Sequence, residues 1–337
     1  MMPHATPHQY IDRETEGVIT ERLIADPLIT RLYTRARENP GLLFRAATSR
    51  RMSAVLGFLN FDLTFGTNGA GRRRRIRQMG IHLAECLDDP ATLDTPRKLF
   101  ERRIRYWQCR PMPAAADRVV APADARMLVG SFDRQQMVFL KEKFFSFDEL
   151  LGGEKTHWRE TFADGDFALF RLTPDKYHYN HTPVAGVIQD IYTIDGRCHS
   201  CNPAAVVCMA TPFSKNRRVV TIIDTDVPGG SGIGWVAMVE VVAMMIGDIV
   251  QCYSTFRYDD PLDLSAGMFV DRGCPKSLYR PGSSVDILIF QKGRLAFSDD
   301  ILANMRRRDV TSRYSRHFRT PLVETDVKVR SEIGCKA

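Results

Sequence analysis

Apolar residues recur at three- and four-residue spacing through three stretches of the first hundred residues, EGVITERLIADPLITRLYTRARE, SAVLGFLNFDL and RRIRQMGIHLAECLDD. That spacing gathers them on one face of a helix, so the chain from residue 11 to about 107 is expected to be helical, with almost no strand signal. Beyond QCRPMPAAADRVVAPADA the pattern changes to short β-branched and aromatic runs at 118–120, 136–140, 167–172, 184–193, 218–224, 235–243 and 285–290. Gly, Pro, Asn and Asp clusters separate these runs, as they separate strands. The Pro/Ala-rich stretch 111–123 is the natural boundary. The expectation is an α+β chain, with a helical N-terminal domain over 1–110 and a β-rich domain over 111–337.

Composition narrows this picture only a little. A chain of 337 residues with 44% hydrophobic and 26% charged residues has the make-up of a globular protein rather than a disordered one. Much of its net charge of +7 comes from two clusters, GRRRRIRQ from Gly71 and NMRRRDVTSRYSRHFR from Asn304. Neither interleaves aromatics as a base-stacking surface does, so both read as solvated faces, and nucleic acid is not an expected partner. The start, MMPHATPHQYIDRETEG, has no apolar core of a signal peptide. The windows MSAVLGFLNFDLTF and GWVAMVEVVAMMIGDIV are too short or carry a carboxylate, which argues against a membrane span. A cytoplasmic location with at most peripheral membrane contact is expected. The eight scattered cysteines read as reduced thiols. Cys198-His199-Ser200-Cys201 has the spacing of half a zinc site, but no second pair follows, so no metal is expected.

Three places concentrate groups of catalytic type. In YRPGSSVDILIF, Pro281 and Gly282 fit the central positions of a type II turn, which puts Ser283 at the head of an apolar strand. Asp124 sits between apolar flanks in APADA, and RLTPDKYHYNHTP gathers Asp175, Tyr177, His178 and His181. A serine hydroxyl is a poor nucleophile near neutrality and needs a base within hydrogen-bond reach, itself oriented by a carboxylate. Each residue also has an ordinary reading. Pro-Gly-Ser is commonly a hairpin corner, Asp124 suits a turn or cap, and either histidine suits a strand end.

Together and in this order, the three motifs resemble the phosphatidylserine decarboxylase family. VVAPADA is similar to its Pro-Ala-Asp-Gly, RLTPDKYHYNHTPVAG to its Leu-x-Pro-x-Asp-Tyr-His-Arg-x-His-x-Pro, and PGSSVDILIF to its Gly-Ser-Thr or Gly-Ser-Ser before an apolar strand. KEKFFSFDELLGG, CNPAAV, PFSKNRRVV and GWVAMVEVVAMMIGDI add lesser matches, so the resemblance covers about residues 118 to 300. It implies a β-rich pyruvoyl-dependent decarboxylase domain that cuts itself between Gly282 and Ser283. The serine oxygen attacks the glycyl carbonyl to form an ester, and β-elimination then leaves a dehydroalanine that hydrolyses to a pyruvoyl group. The products are a large fragment, 1–282, and a small one, 283–337, which stay associated. A small residue at 282 leaves room for the bent backbone the attack needs. By the same resemblance Asp124, His181 and Ser283 form the triad, with His181 as base and Asp124 fixing its tautomer. His178 is the candidate for substrate carboxylate contact or proton delivery. The pyruvoyl ketone made from Ser283 condenses with a substrate amine and accepts the electrons released as CO2 leaves, so neither pyridoxal phosphate nor a metal is required.

The chain departs from the family where Lys-Gly-x-Glu-x-Gly-x-Phe precedes the cut. Here that stretch reads Arg272-Gly273-Cys274-Pro275-Lys276-Ser277-Leu278-Tyr279. Asn-Glu-Arg has likewise become Asn216-Arg217-Arg218, and Gly-Ser-Ile has become Gly247-Asp248-Ile249. These changes bear on substrate. SAVLGFLNFDLTFGTNGAG looks like the leader of soluble relatives that decarboxylate free aromatic amino acids, such as the fungal tryptophan decarboxylases. That likeness makes a free L-amino acid, aromatic ones included, the expected small-molecule substrate. The phospholipid phosphatidylserine is the alternative, its anionic bilayer attracted by the basic clusters. A homo-oligomer is compatible with either.

Overall fold

Among the described residues the β-branched and aromatic runs become strands, and these build one large sheet and two small ones. The computed structural model describes residues 6–23, 26–38, 48–49, 52, 76, 80–132, 144–208, 211–244, 248–282 and 284–337. In chain order the first strands are β1 Gln9–Asp12, β2 Val18–Thr20, β3 Arg118–Val120, β4 Ala125–Ser131, β5 Asp166–Leu172, β6 Tyr179–His181, β7 Gly186–Ile194 and β8 Arg218–Asp224. They continue with β9 Trp235–Val242, β10 Ile249–Gln251, β11 Phe269–Val270, β12 Pro275–Tyr279, β13 Ser284–Phe290, β14 Leu295–Phe297, β15 Glu324–Val327 and β16 Glu332–Lys336. Ten form a sheet in the order β11-β7-β8-β9-β13-β5-β4-β15-β1-β2, and two three-stranded sheets run β10-β12-β6 and β14-β16-β3. The α+β expectation holds, with strands predominating.

β13 lies in the interior of the large sheet, antiparallel to both neighbours. Ser284 faces Val242 and Leu172, Asp286 faces Glu240 and Phe170, and Phe290 faces Val236 and Asp166. Every residue of the strand is buried. This is why VDILIF reads as a nearly continuous apolar run rather than an alternating one: both faces of the strand are covered. The core extends from it through Val285, Ile287, Leu288 and Ile289 to Val239, Val241, Leu169 and Phe170 on the adjacent strands.

The N-terminal stretch differs from its helical reading. Residues 9–12 and 18–20 are strands at one edge of the large sheet, β1 running parallel to β15 and antiparallel to β2. The sheet therefore draws strands from both sides of the expected boundary at 110. The partner of β1 lies some 300 residues away in sequence, and a pairing that distant leaves no local period to read. Buried ion pairs bind the same segment down: Arg171 on β5 donates to both Glu21 and Glu324, and His8 Nε2 lies 2.7 Å from Glu324. Helix Asp26–Glu38 falls within the expected helical region, followed by the short helices Pro96–Phe100 and Tyr106–Cys109. The expected helix at SAVLGFLNFDL, the strand at 136–140 and the GRRRR run lie outside the described residues. None of the eight cysteines is joined in a disulfide. Among the described residues no helix is long and apolar enough to cross a membrane.

Candidate active site

The chain passes from the small sheet to the large one between Tyr279 and Ser284, the end of β12 and the start of β13. Gly282 has φ 151°, a region that side-chain-bearing residues rarely occupy. The sign is the one a Pro-Gly turn demands, although a type II turn would sit nearer about 80°. Ser283 itself lies outside the described residues. Its neighbour Ser284 is fully buried, and its Oγ has no hydrogen-bond partner among the described residues.

β6 brings the two histidines against β12. His181 is opposite Pro275, and the backbone N–H of Tyr279 donates to the carbonyl of His178 at 3.1 Å. His178 Nδ1 donates to the Lys176 carbonyl at 2.8 Å, which leaves Nε2 as the basic atom, buried and without a partner among the described residues. The ring stacks on Phe100 with centroids 3.5 Å apart. Burial, reinforced by the nearby Arg102 guanidinium, pushes the His178 pKa well below the ordinary value, so the imidazole is neutral. His181 is also buried and neutral; burial takes its pKa down to about 3. Its Nδ1 donates to the Gly273 carbonyl at 2.8 Å, and its Nε2 lies 3.0 Å from the Tyr177 hydroxyl, which touches Tyr258 Oη at 2.7 Å. Gly273 presents that carbonyl at φ 76°, where an added Cβ would stand 2.4 Å from Met112 Sδ. Only glycine serves there.

Asp124 is buried as expected, but it does not hold His181. Arg110 donates to it through two nitrogens, Nε to Oδ1 at 2.9 Å and Nη2 to Oδ2 at 2.7 Å, and the Val329 N–H donates to Oδ1 at 2.8 Å. Burial by itself would raise this carboxyl, and Arg110 outweighs it, holding the pKa below the usual range. The negative charge reaches both histidines through space. The role of fixing the His181 tautomer, expected of Asp124, therefore falls to the Gly273 carbonyl. The Asp175 backbone carbonyl accepts from Arg102 at 2.9 Å, and its charge acts through space on Arg102 and Lys176.

Sequence reasoning missed a second polar group beside β13. Glu240 on β9 accepts from Lys276 Nζ at 2.6 Å, from Asn180 Nδ2 at 3.1 Å and from the Ser277 hydroxyl. Across the sheet from it stands Asp286, whose Oδ1 is 2.7 Å from Tyr279 Oη. One charged residue inside each of the apolar runs WVAMVEVV and VDILIF was the available signal.

The family model for phosphatidylserine decarboxylase matches residues 97–310. The phosphatidylserine decarboxylase proenzyme of Bordetella petrii is 30% identical over 239 residues, covering 67% of this chain and 79% of its own length. That of Chlamydia trachomatis serovar L2 is 27% identical over 299 residues, covering 87% and 90%. That of Vibrio cholerae serotype O1 is 29% identical over 238 residues, covering 67% and 80%. None of the three carries the name of an enzyme for free amino acids, so the expectation of such a substrate finds no support among them. The chain belongs to the phosphatidylserine decarboxylase family and is a carboxy-lyase made as a self-processing proenzyme.

Proposed function

We propose that the protein decarboxylates phosphatidylserine to phosphatidylethanolamine, after Ser283 Oγ has attacked the Gly282 carbonyl and divided the chain into 1–282 and 283–337. In the attack the new C–O ester bond replaces the 282–283 C–N bond, the hydroxyl proton goes to a base and the freed nitrogen takes one up. Loss of the 283 Cα proton expels the Gly282 carboxylate, and water then replaces the nitrogen, which departs as ammonia. The pyruvoyl group so formed supplies a ketone that takes up the electrons left when CO2 departs. Neither pyridoxal phosphate nor a metal is needed for this chemistry.

The observation that carries the reading is a set of buried polar atoms, without partners among the described residues, on the segments next to the Gly282 turn and paired with its flanking strands. They are His178 Nε2, Ser284 Oγ and Thr173 Oγ1, the last one residue past the Leu172 that faces Ser284. Unsatisfied buried groups are costly, and they fit a site that must accommodate a new carbonyl and a substrate headgroup. Their chemistry suits the pyruvoyl group: hydroxyls to donate to carbonyl oxygen, and a neutral imidazole to carry a proton. We assign His181 Nε2 as the base of the cut, with the Tyr177 hydroxyl yielding or passing the proton on. His178 Nε2 holds and delivers the proton in the decarboxylation. The choice of phosphatidylserine rests on the names of the relatives, and the enzyme would meet the bilayer from the cytoplasm by peripheral contact.

Intact-mass measurement of purified protein should find two chains divided after Gly282, and Ser283→Ala should leave one uncut, inactive chain. Phosphatidylserine vesicles, free tryptophan and free tyrosine supplied side by side should yield CO2 only from the vesicles. Release from tryptophan with the vesicles inert would restore the amino-acid reading. An active but unbroken polypeptide would sink the proposed cut altogether.

A further inference from the structure

Two carboxyls stand directly opposite one another in the buried interior, Asp286 on β13 and Glu240 on β9. Like charges placed so are unfavourable, and a pair of carboxyls sharing one site raises the affinity of one of them for a proton. The surroundings decide which. Glu240 accepts from the Lys276 ammonium, from Asn180 and from Ser277, the pattern of an acceptor-only carboxylate. Among the described residues Asp286 meets no cation at hydrogen-bond distance, and its Oδ2 has no partner there. From β12 it faces Tyr279 and, farther off, Lys276; from β9 it faces Glu240; opposite it on β5 is the apolar Phe170. Burial, with Glu240 adding to it, pushes the Asp286 carboxyl well above the ordinary range.

A count of protons agrees. Tyr279 Oη lies 2.7 Å from Asp286 Oδ1 and 3.1 Å from the Val285 carbonyl, and it has one hydrogen to give. If Asp286 is protonated and donates to Tyr279 Oη, the tyrosine hydrogen is free for the Val285 carbonyl, and both contacts are satisfied. If Asp286 is ionised, the tyrosine must choose, and one contact is lost. Tyr279 precedes Gly282 by three residues and Asp286 follows Ser283 by three, so this bridge ties together the strands on either side of the cut. Ser277 and Tyr279 stand where the family pattern has Gly and Phe, so the two hydroxyls that engage the buried carboxyls are features of this chain.

We propose that Asp286, as a neutral carboxylic acid, is a positioning residue for maturation: through Tyr279 it pins the backbone on both sides of the Gly282–Ser283 bond in the bent approach that the serine attack requires. The inference rests on the self-cleavage at that bond proposed above. Ionisation of Asp286 as the pH rises sets a second negative charge against Glu240 with Lys276 to balance them, and it loosens the hold on Val285.

The test follows the conversion of freshly refolded precursor to two chains across a pH series. Tyr279→Phe and Asp286→Ala should each slow the cut about tenfold or more, while the precursors still melt cooperatively. The wild-type rate should fall as the pH rises through the titration of Asp286, and Asp286→Asn, which keeps a carbonyl and a donor but has no titration, should cut at near the low-pH wild-type rate without that fall. A fall with rising pH that is unchanged in Asp286→Asn overturns the role given to the neutral acid. Tyr279→Phe cutting as fast as wild type overturns the bridge. A wild type that never cuts is a different result, because it removes the self-cleavage reading itself.

Discussion

His178 and His181 sit three residues apart on one short segment, are both buried and neutral, and carry their Nδ1 proton against a backbone carbonyl. What separates them is the other nitrogen, capped by Tyr177 in His181 and without a partner among the described residues in His178. His181→Ala should therefore leave the precursor uncut, whereas His178→Ala should mature and then release little CO2. Gel analysis of processing alongside a CO2 assay checks this, and the reverse pattern would transfer the role of base to His178. Both histidines, Asp124 and the Gly282–Ser283 pair were legible in the sequence because motif order marks them. Their hydrogen bonds were not. The carbonyl that fixes His181 comes from Gly273, and the cation that claims Asp124 is Arg110, in the segment the sequence assigned to the other domain. Neither contact leaves a trace at the position it serves.

β13 shows what the pattern of side chains could and could not reveal at the scale of an element. Its apolar, β-branched run predicts a strand, and the strand extends one residue further than expected, from Ser284 to Phe290. Ile287 is fully buried between Leu169 and Val239. Ile287→Ala should cost about 2–5 kcal/mol, the range for a large-to-small change in a packed interior, read from the urea midpoint with the slope unchanged. A loss under about 0.5 kcal/mol would mean that the strand is not packed on both faces, since changes away from a core stay within that size. The strands at 118–120 and 218–224 match their expected bounds because each is a compact β-branched run. β1 and β2 escaped notice: three or four residues are too few to establish a period, and their place depends on β15 near the far end of the chain. Asp286 and Glu240 escaped for another reason. An isolated carboxylate in an apolar run marks a polar site only once the register sets the two side by side.

For the molecule as a whole, the buried histidines make acid the weak side. Burial lowers the pKa of His178 well below the ordinary value, that of His181 to about 3 and that of His199 to about 4. Their unfolded counterparts take up protons near pH 6.5, so the unfolded chain binds more protons below that pH. Stability from these groups is thus complete above about pH 6.5 and drains away as the pH falls toward the folded values, by up to about 1.4 kcal/mol per pH unit for each histidine. Urea midpoints should drop between pH 7.5 and 5, and a flat midpoint over that range would show that the three rings are not held neutral. The large sheet has a further consequence, because residues 283–337 supply an interior strand, β13, as well as β15 between β1 and β4. Until that last sixth of the chain has been threaded home, β5 and β9 have a gap between them and nothing bends the peptide at Gly282. With the cut at Gly282 as proposed, scission waits upon assembly. Every nicked molecule certifies one that reached its native shape, and the proportion of nicked to whole chains in a cell extract becomes a tally of folding success.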